Sequence, residues 1–175
     1  MKKMKTRLID VVKTTKSPFV IILIGPPLSG KSTQLELAKE ANIEFDIIGA
    51  DAILMEKYAS NGETYTEAYA KSNSKDVNKI LKYRLEEAAD LGRNVIVDMT
   101  NLTSKRRKTT LNYFGDEYTK IAYQFEFLDK AEYLKRNAKR NEEIGKYIPE
   151  SVIFSMIDSF QSPSKEEGFN KIFFY

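Results

Sequence analysis

The chain has 175 residues, 42% hydrophobic and 30% charged, with a formal net charge of +3 and neither cysteine nor histidine. That length suits one ordinary domain, and the composition is globular, which excludes a disordered or fibrous chain. Disulfides and thiolate metal sites are excluded too; a general base must be a carboxylate, an amine or a tyrosine, and a divalent metal needs oxygen ligands, which favours magnesium over zinc.

The opening stretch, residues 1–18, is a basic lead-in with no secretory-signal pattern, and three roles fit it: binding nucleic acid, packing on the domain, or remaining disordered. "FVIILI", Phe19 to Ile24, is a continuous apolar run bounded by Pro18 and Gly25, the pattern of a strand buried on both faces. It is too short to cross a bilayer, so no membrane partner is expected. A helix over Lys31 to Ala41 follows, then a second strand over Phe45 to Ala50 and a short helix from Asp51 to Ala59. "SNGETYT" reads as a turn-rich, mobile loop.

Val77, Ile80, Leu81, Leu85 and Ala88 fall at helical spacing, with Gly92 as the stop, and Asn94 to Asp98 form a third buried strand. Ser104 to Phe114 is a predicted helix. The alternation of Ile121, Tyr123, Phe125 and Phe127 predicts a strand nearer the sheet edge. Asp129 and Glu132 make a capping-box pattern that opens a helix to about Asn141, Pro149 starts another, and "KIFFY" adds a last strand. Strand and helix alternate throughout, which predicts a single α/β domain: a three-layer sandwich with a mostly parallel sheet and helices on both faces. Its expected parts are the lead-in, a core over 19–160 and a C-terminal segment over 161–175.

Gly25 and Gly30-Lys31-Ser32 match GxxxxGK[ST], the phosphate-binding loop, between a strand and a helix as that motif requires. Its backbone N–H groups and the start of the helix favour phosphate oxygens. Lys31 would reach the β- and γ-phosphates, and Ser32 would offer its hydroxyl to magnesium; Ser29 and Thr33 complete the nucleotide-binding set. ATP is the expected nucleotide. The ordinary alternative is a Gly/Pro turn with a solvated lysine.

In parallel sheets ligands sit at the carboxyl ends of the strands. Asp51 follows strand two and Asp98 ends strand three, so both belong to that edge, whereas Asp46 begins strand two and belongs to the other. Asp98, after "VIV", suits the magnesium shell, and Asp51 suits a general base, against a plain helix-capping role. Arg136 and Arg140 give one helix a cationic face, which fits either a lid over polyphosphate or an exposed helix with a Glu132–Arg136 pair. "SKRRK", Ser104 to Lys108, fits either a nucleic-acid contact or a solvated helix start.

"NVIVDMTNLTSKRR", "LDKAEYLKRNAKRN" and "IPESVIFSMIDSF", in this order, resemble the kinase domain of the bacteriophage polynucleotide 5′-hydroxyl kinase family. With the phosphate loop and the "GAD" at Asp51, the resemblance runs from Phe19 to Phe160. It implies a P-loop NTPase fold with an arginine-bearing lid helix and transfer of the ATP γ-phosphate to the 5′-hydroxyl of DNA or RNA, in nucleic-acid end repair. Lys31, Asp51 and Arg140 would be catalytic, Arg136 an ATP-binding helper, and Asp98, Thr100, Asn101, Arg106 and Arg107 the acceptor side. A cytoplasmic location is implied, that of a bacterial host if the chain is phage-encoded.

Two departures stand out. The family carries an arginine three residues after the base, where this chain has Leu54, so Lys57, Arg106 or Arg107 would have to replace it. The family's phosphatase motif has no match here. The alternatives are therefore a P-loop kinase of a nucleoside, nucleotide or sugar, and a non-catalytic nucleotide-dependent nucleic-acid-binding module. No guanine-reading N-K-x-D motif is present.

Overall fold

The computed structural model describes residues 5–175. In chain order the elements are α1 (Leu8–Thr14), β1 (Phe19–Ile24), α2 (Lys31–Lys39), β2 (Asp46–Ile48), α3 (Ala50–Tyr58), α4 (Tyr65–Lys71) and α5 (Ser74–Asp90). Then come β3 (Val95–Val97), α6 (Ser104–Leu111), β4 (Thr119–Gln124), α7 (Lys130–Ile144), α8 (Glu150–Asp158), a 3-10 turn at Lys165–Glu167 and β5 (Lys171–Phe174). The five strands form one sheet in the order β2-β3-β1-β4-β5, and every pairing in it is parallel. The predicted α/β sandwich is the observed fold.

β1 explains the layering. All six of its residues are buried, and successive side chains point to opposite faces of a strand. Val20, Ile22 and Ile24 enter one core with Ile53 of α3, Ala68 of α4, Val77, Leu81 and Leu85 of α5 and Leu111 of α6. Phe19, Ile21 and Leu23 enter the other with Leu8, Val11 and Val12 of α1 and Leu35 and Ala38 of α2. The sheet is thus covered on both faces, as a parallel sheet requires.

One open expectation is decided and three others are refined. Residues 1–4 of the lead-in lie outside the described residues; the rest includes α1, whose buried Leu8, Val11 and Val12 pack it on the domain. The segment expected as a mobile loop contains α4, opened by a reciprocal capping box between Thr64 and Glu67. β4 is an interior strand because β5 pairs outside it, which is why its middle residues are fully buried. The second strand is only three residues long, because α3 begins at Ala50 and puts Asp51 in its first turn.

Candidate active site

The loop between β1 and α2 is shaped for an anion. Gly30 caps α2 at φ +96°, a left-handed conformation that favours glycine. A Cβ on Gly25 would lie 2.8 Å from Ser29 Oγ and 3.0 Å from Phe125 Cβ, so the chain leaves β1 through a space only glycine fits. The Gly25 N–H donates to the Thr100 carbonyl at 3.0 Å, tying this loop to the segment after β3. Gln34 N–H returns to Gly30 O at 3.2 Å, which leaves the amides of Lys31, Ser32 and Thr33 as first-turn donors without intrahelical partners. Ser29 Oγ is buried and unpartnered.

Lys31 Nζ donates to the carbonyls of Gly25 at 2.9 Å and Pro26 at 2.7 Å, folding back over the loop. Burial pushes its ammonium down to about 8, against the opposing pull of Asp98 and Asp51.

The acidic edge faces this loop. The Asp98 N–H donates to the Ile48 carbonyl at 2.9 Å, continuing the pairing of β2 with β3 by one residue. A Cβ on Gly49 would strike the Asp98 carbonyl, so glycine lets the end of β2 pass close and start α3 there. Burial raises the Asp98 carboxyl above the usual range, while the Lys31 ammonium pulls it down. Asp51 Oδ1 accepts from the Tyr65 hydroxyl at 2.9 Å, and Oδ2 accepts from Lys146 Nζ at 2.5 Å. Asp46 sits at the far end of β2, where it meets Arg93 at 3.3 Å, away from this edge as its position predicts.

After β3, Thr100 and Asn101 line the cleft. Asn101 has a φ of +46° and turns its amide inward, donating to Leu23 O at 2.8 Å and Met99 O at 3.3 Å. The two adjacent arginines of α6 separate. Arg106 lines the cleft. Arg107 is fully buried, pairs with Glu167 through Nε at 2.7 Å and Nη2 at 2.6 Å, and donates to the carbonyls of Asn101 and Leu102. Its expected acceptor-side role is therefore corrected: every direction of its guanidinium is taken by the fold. The same holds for two positions near Asp51. Leu54 is buried in the core, and Lys57 is held 3.0 Å from Asp76. Neither lines the cleft.

α7 lies over the loop, and Arg136 makes the pair with Glu132 that its spacing predicts while also reaching the loop backbone. Its Nε pairs with Glu132 at 2.6 Å while Nη1 donates to the Leu28 carbonyl of the phosphate loop at 3.1 Å. Arg140 lines the cleft and donates through Nε to the Lys146 carbonyl at 3.3 Å. Burial lowers its guanidinium, with Asp51 acting in the opposite sense. Lys146, just past the left-handed Gly145 that ends α7, was not among the sequence candidates. Nothing in "IGKYIP" marks it except that it follows the basic helix.

These groups share one cleft of about 760 Å³, lined by Lys31, Ser32, Asp51, Asp98, Arg106, Arg136, Arg140 and Lys146. A second cavity of about 310 Å³ adjoins it past Arg136, bounded by Ser29, Thr33, Gln34, Leu128 and Tyr175. The unpartnered Ser29 hydroxyl, the free amides of α2 and the glycines around them fit a nucleotide phosphate. Among the described residues no group of three or more acidic side chains gathers to hold a metal. The Ser32 hydroxyl and Asp98 at this edge fit magnesium, which takes one or two protein oxygens and fills its shell with phosphate and water.

Residues 20–163 match the family model of the AAA domain, AAA_33. The L-seryl-tRNA(Sec) kinase of Methanococcus maripaludis is 32% identical over 152 residues, covering 82% of this chain and 53% of the relative. This chain thus spans about half the length of that relative. Among solved structures, a chain of the Pnkp1/Rnl/Hen1 RNA repair complex aligns with a TM-score of 0.66 at 23% identity, over 83% of this chain and 45% of that one. A chain from the PezAT chromosomal toxin-antitoxin system of Streptococcus pneumoniae aligns with a TM-score of 0.68 at 21% identity, over 97% of this chain and 73% of that one. The two structures share this fold.

Proposed function

The chain belongs to the AAA domain family, and on that footing we propose that it is a P-loop kinase transferring the γ-phosphate of ATP to the 5′-hydroxyl end of a polynucleotide. The observation that carries this reading is one cleft in which a carboxylate, Asp51, faces a phosphate loop across a set of cations on a separate helix. A pure nucleotide-binding module has no use for that carboxylate. The 32% identity to a kinase named for an aminoacyl-tRNA supports both a kinase and a nucleic-acid acceptor.

Each residue then has a task. The amides of α2 and Lys31 hold the β- and γ-phosphates. Ser32 and Asp98 hold magnesium, which when bound screens the charge on the phosphates. Asp51 accepts the proton of the acceptor hydroxyl as its oxygen bonds to the γ-phosphorus and the bond to the bridging oxygen breaks. Arg140 and Arg136, from α7, meet the charge that develops on the transferring group. Arg106, which lines the same cleft, is the side chain left to meet a phosphate of the acceptor.

A small-acceptor kinase is the second reading, and one observation favours it. With Leu54 buried and Lys57 turned to Asp76, no cation three or six residues beyond Asp51 reaches the cleft.

The deciding experiment follows transfer from labelled ATP and magnesium to a 5′-hydroxyl oligonucleotide. The same oligonucleotide carrying a 5′-phosphate, and a panel of nucleosides, nucleotides and sugars, run beside it. Label on the 5′-hydroxyl oligonucleotide alone is the expected result; label on small acceptors alone overturns the polynucleotide assignment. Asp51→Asn should lower kcat by about 100-fold or more with ADP affinity preserved. Full turnover in that variant removes Asp51 as the base.

A further inference from the structure

We propose that Lys146 and Tyr65 are positioning residues that clamp the Asp51 carboxylate from both sides and tie its aim to the lid helix; this rests on the kinase reading above. Asp51 needs such help. Its side chain is 62% exposed, so packing does not fix its rotamer, and the residue capping α3 is a glycine with no side chain to contribute. What holds the carboxylate is one donor on each oxygen: the Tyr65 hydroxyl on Oδ1 and the Lys146 ammonium on Oδ2.

The clamp closes on itself. Lys146 Nζ lies 3.6 Å from the centre of the Tyr65 ring, within cation–π range. Its side chain is only 15% exposed, which separates it from the surface ion pairs that contribute little. Both partners come from elements docked to each other, since Thr66 Oγ1 of α4 donates to the Gly145 carbonyl at 2.8 Å. Each carboxylate oxygen carries two lone-pair sites, so one donor per oxygen still leaves room for the acceptor hydroxyl. The carboxylate is oriented without being filled.

The same residue reaches the lid. Arg140 Nε donates to the Lys146 carbonyl, so the backbone of Lys146 holds the arginine while its side chain holds the base. Displacing α7 would move both. The acceptor's proton then finds its base in place only when the lid arginine is also in place, which links binding of the phosphate donor to readiness of the acceptor side.

The test uses the full chain with Lys146→Ala, Lys146→Arg and Tyr65→Phe, assayed with the acceptor identified for the wild type. ADP affinity and thermal melting are measured alongside. Lys146→Ala should lower kcat by about 30-fold, Tyr65→Phe by about fivefold, and Lys146→Arg should recover most of the loss. ADP affinity should stay within about twofold and the melting temperature within a few degrees. Unchanged kcat in Lys146→Ala and Tyr65→Phe, beside an active wild type, overturns the clamp alone. So does a loss that appears wholly in ADP affinity, because that assigns Lys146 to the phosphates. A wild type that transfers phosphate to no acceptor overturns the kinase reading and the clamp with it.

Discussion

Lys31 is a side chain whose chemistry its surroundings change sharply. Its ammonium is buried against two loop carbonyls, and desolvation pushes it down to about 8 from the ordinary 10.5. Phosphate oxygens would restore the charged form, so the complex holds the proton to a higher pH than the free protein does. The sign follows: below about pH 8 both forms are protonated, and above it binding must take up a proton. ADP affinity should therefore fall as pH rises from about 8, by up to about tenfold per unit. Calorimetry at pH 9 in two buffers of different ionisation heat should report uptake approaching one proton, and no uptake would disprove the shift. Residues embedded in a motif, such as Lys31 and Ser32, are legible in the sequence because the motif states their neighbours. Lys146 is not, because its meaning comes from Asp51, which lies far away in the chain and close only in the fold.

Between elements, the pair of arginines at the start of α6 shows how position on a helix decides a role. Arg106 and Arg107 are adjacent, and no spacing rule tells which faces the cleft. In the fold, Arg107 turns inward and joins α6 to the 3-10 turn at Lys165–Glu167 through a buried pair with Glu167. That turn leads directly into β5, so the ion pair also sets where the last strand begins. Removing one partner of a buried pair leaves the other charge unpaired. Arg107→Ala should lose about 3–5 kcal/mol of stability, lowering the melting temperature by roughly 10 °C. Arg106→Ala should stay within about 0.5 kcal/mol. Equal melting temperatures for the two variants would mean that Arg107 is not the anchor. The strands were legible from their apolar runs, and so was α5 from its periodicity. α4 is hidden although Thr64-x-x-Glu67 spells its capping box, because Ser60, Asn61 and Gly62 just ahead of it give the stronger turn signal. The role of α1 is not legible, because only packing on α2 decides what a seven-residue amphipathic helix does.

At the scale of the whole molecule, a modest net charge hides a strong local one. The chain carries only +3 overall, yet the cleft gathers Lys31, Arg106, Arg136, Arg140 and Lys146 against Asp51 and Asp98. An all-parallel sheet collects the ends of β1, β2 and β3 at one edge, and α7 adds its arginines from above. The magnesium–nucleotide complex answers part of that charge, and the remainder suits an acceptor that brings phosphates of its own. This gives the two acceptor classes different salt responses. For a single-stranded 5′-hydroxyl oligonucleotide making about three phosphate contacts, the logarithm of affinity should fall with the logarithm of salt at a slope of about −2. Arg106→Ala should make that slope shallower by about 0.7 and weaken every sequence alike. Fluorescence polarisation of a labelled oligonucleotide, with ADP saturating the phosphate loop, measures both. A slope near zero would mean that the excess cations serve the nucleotide alone, and the acceptor would then be a small molecule held by the same edge of the sheet.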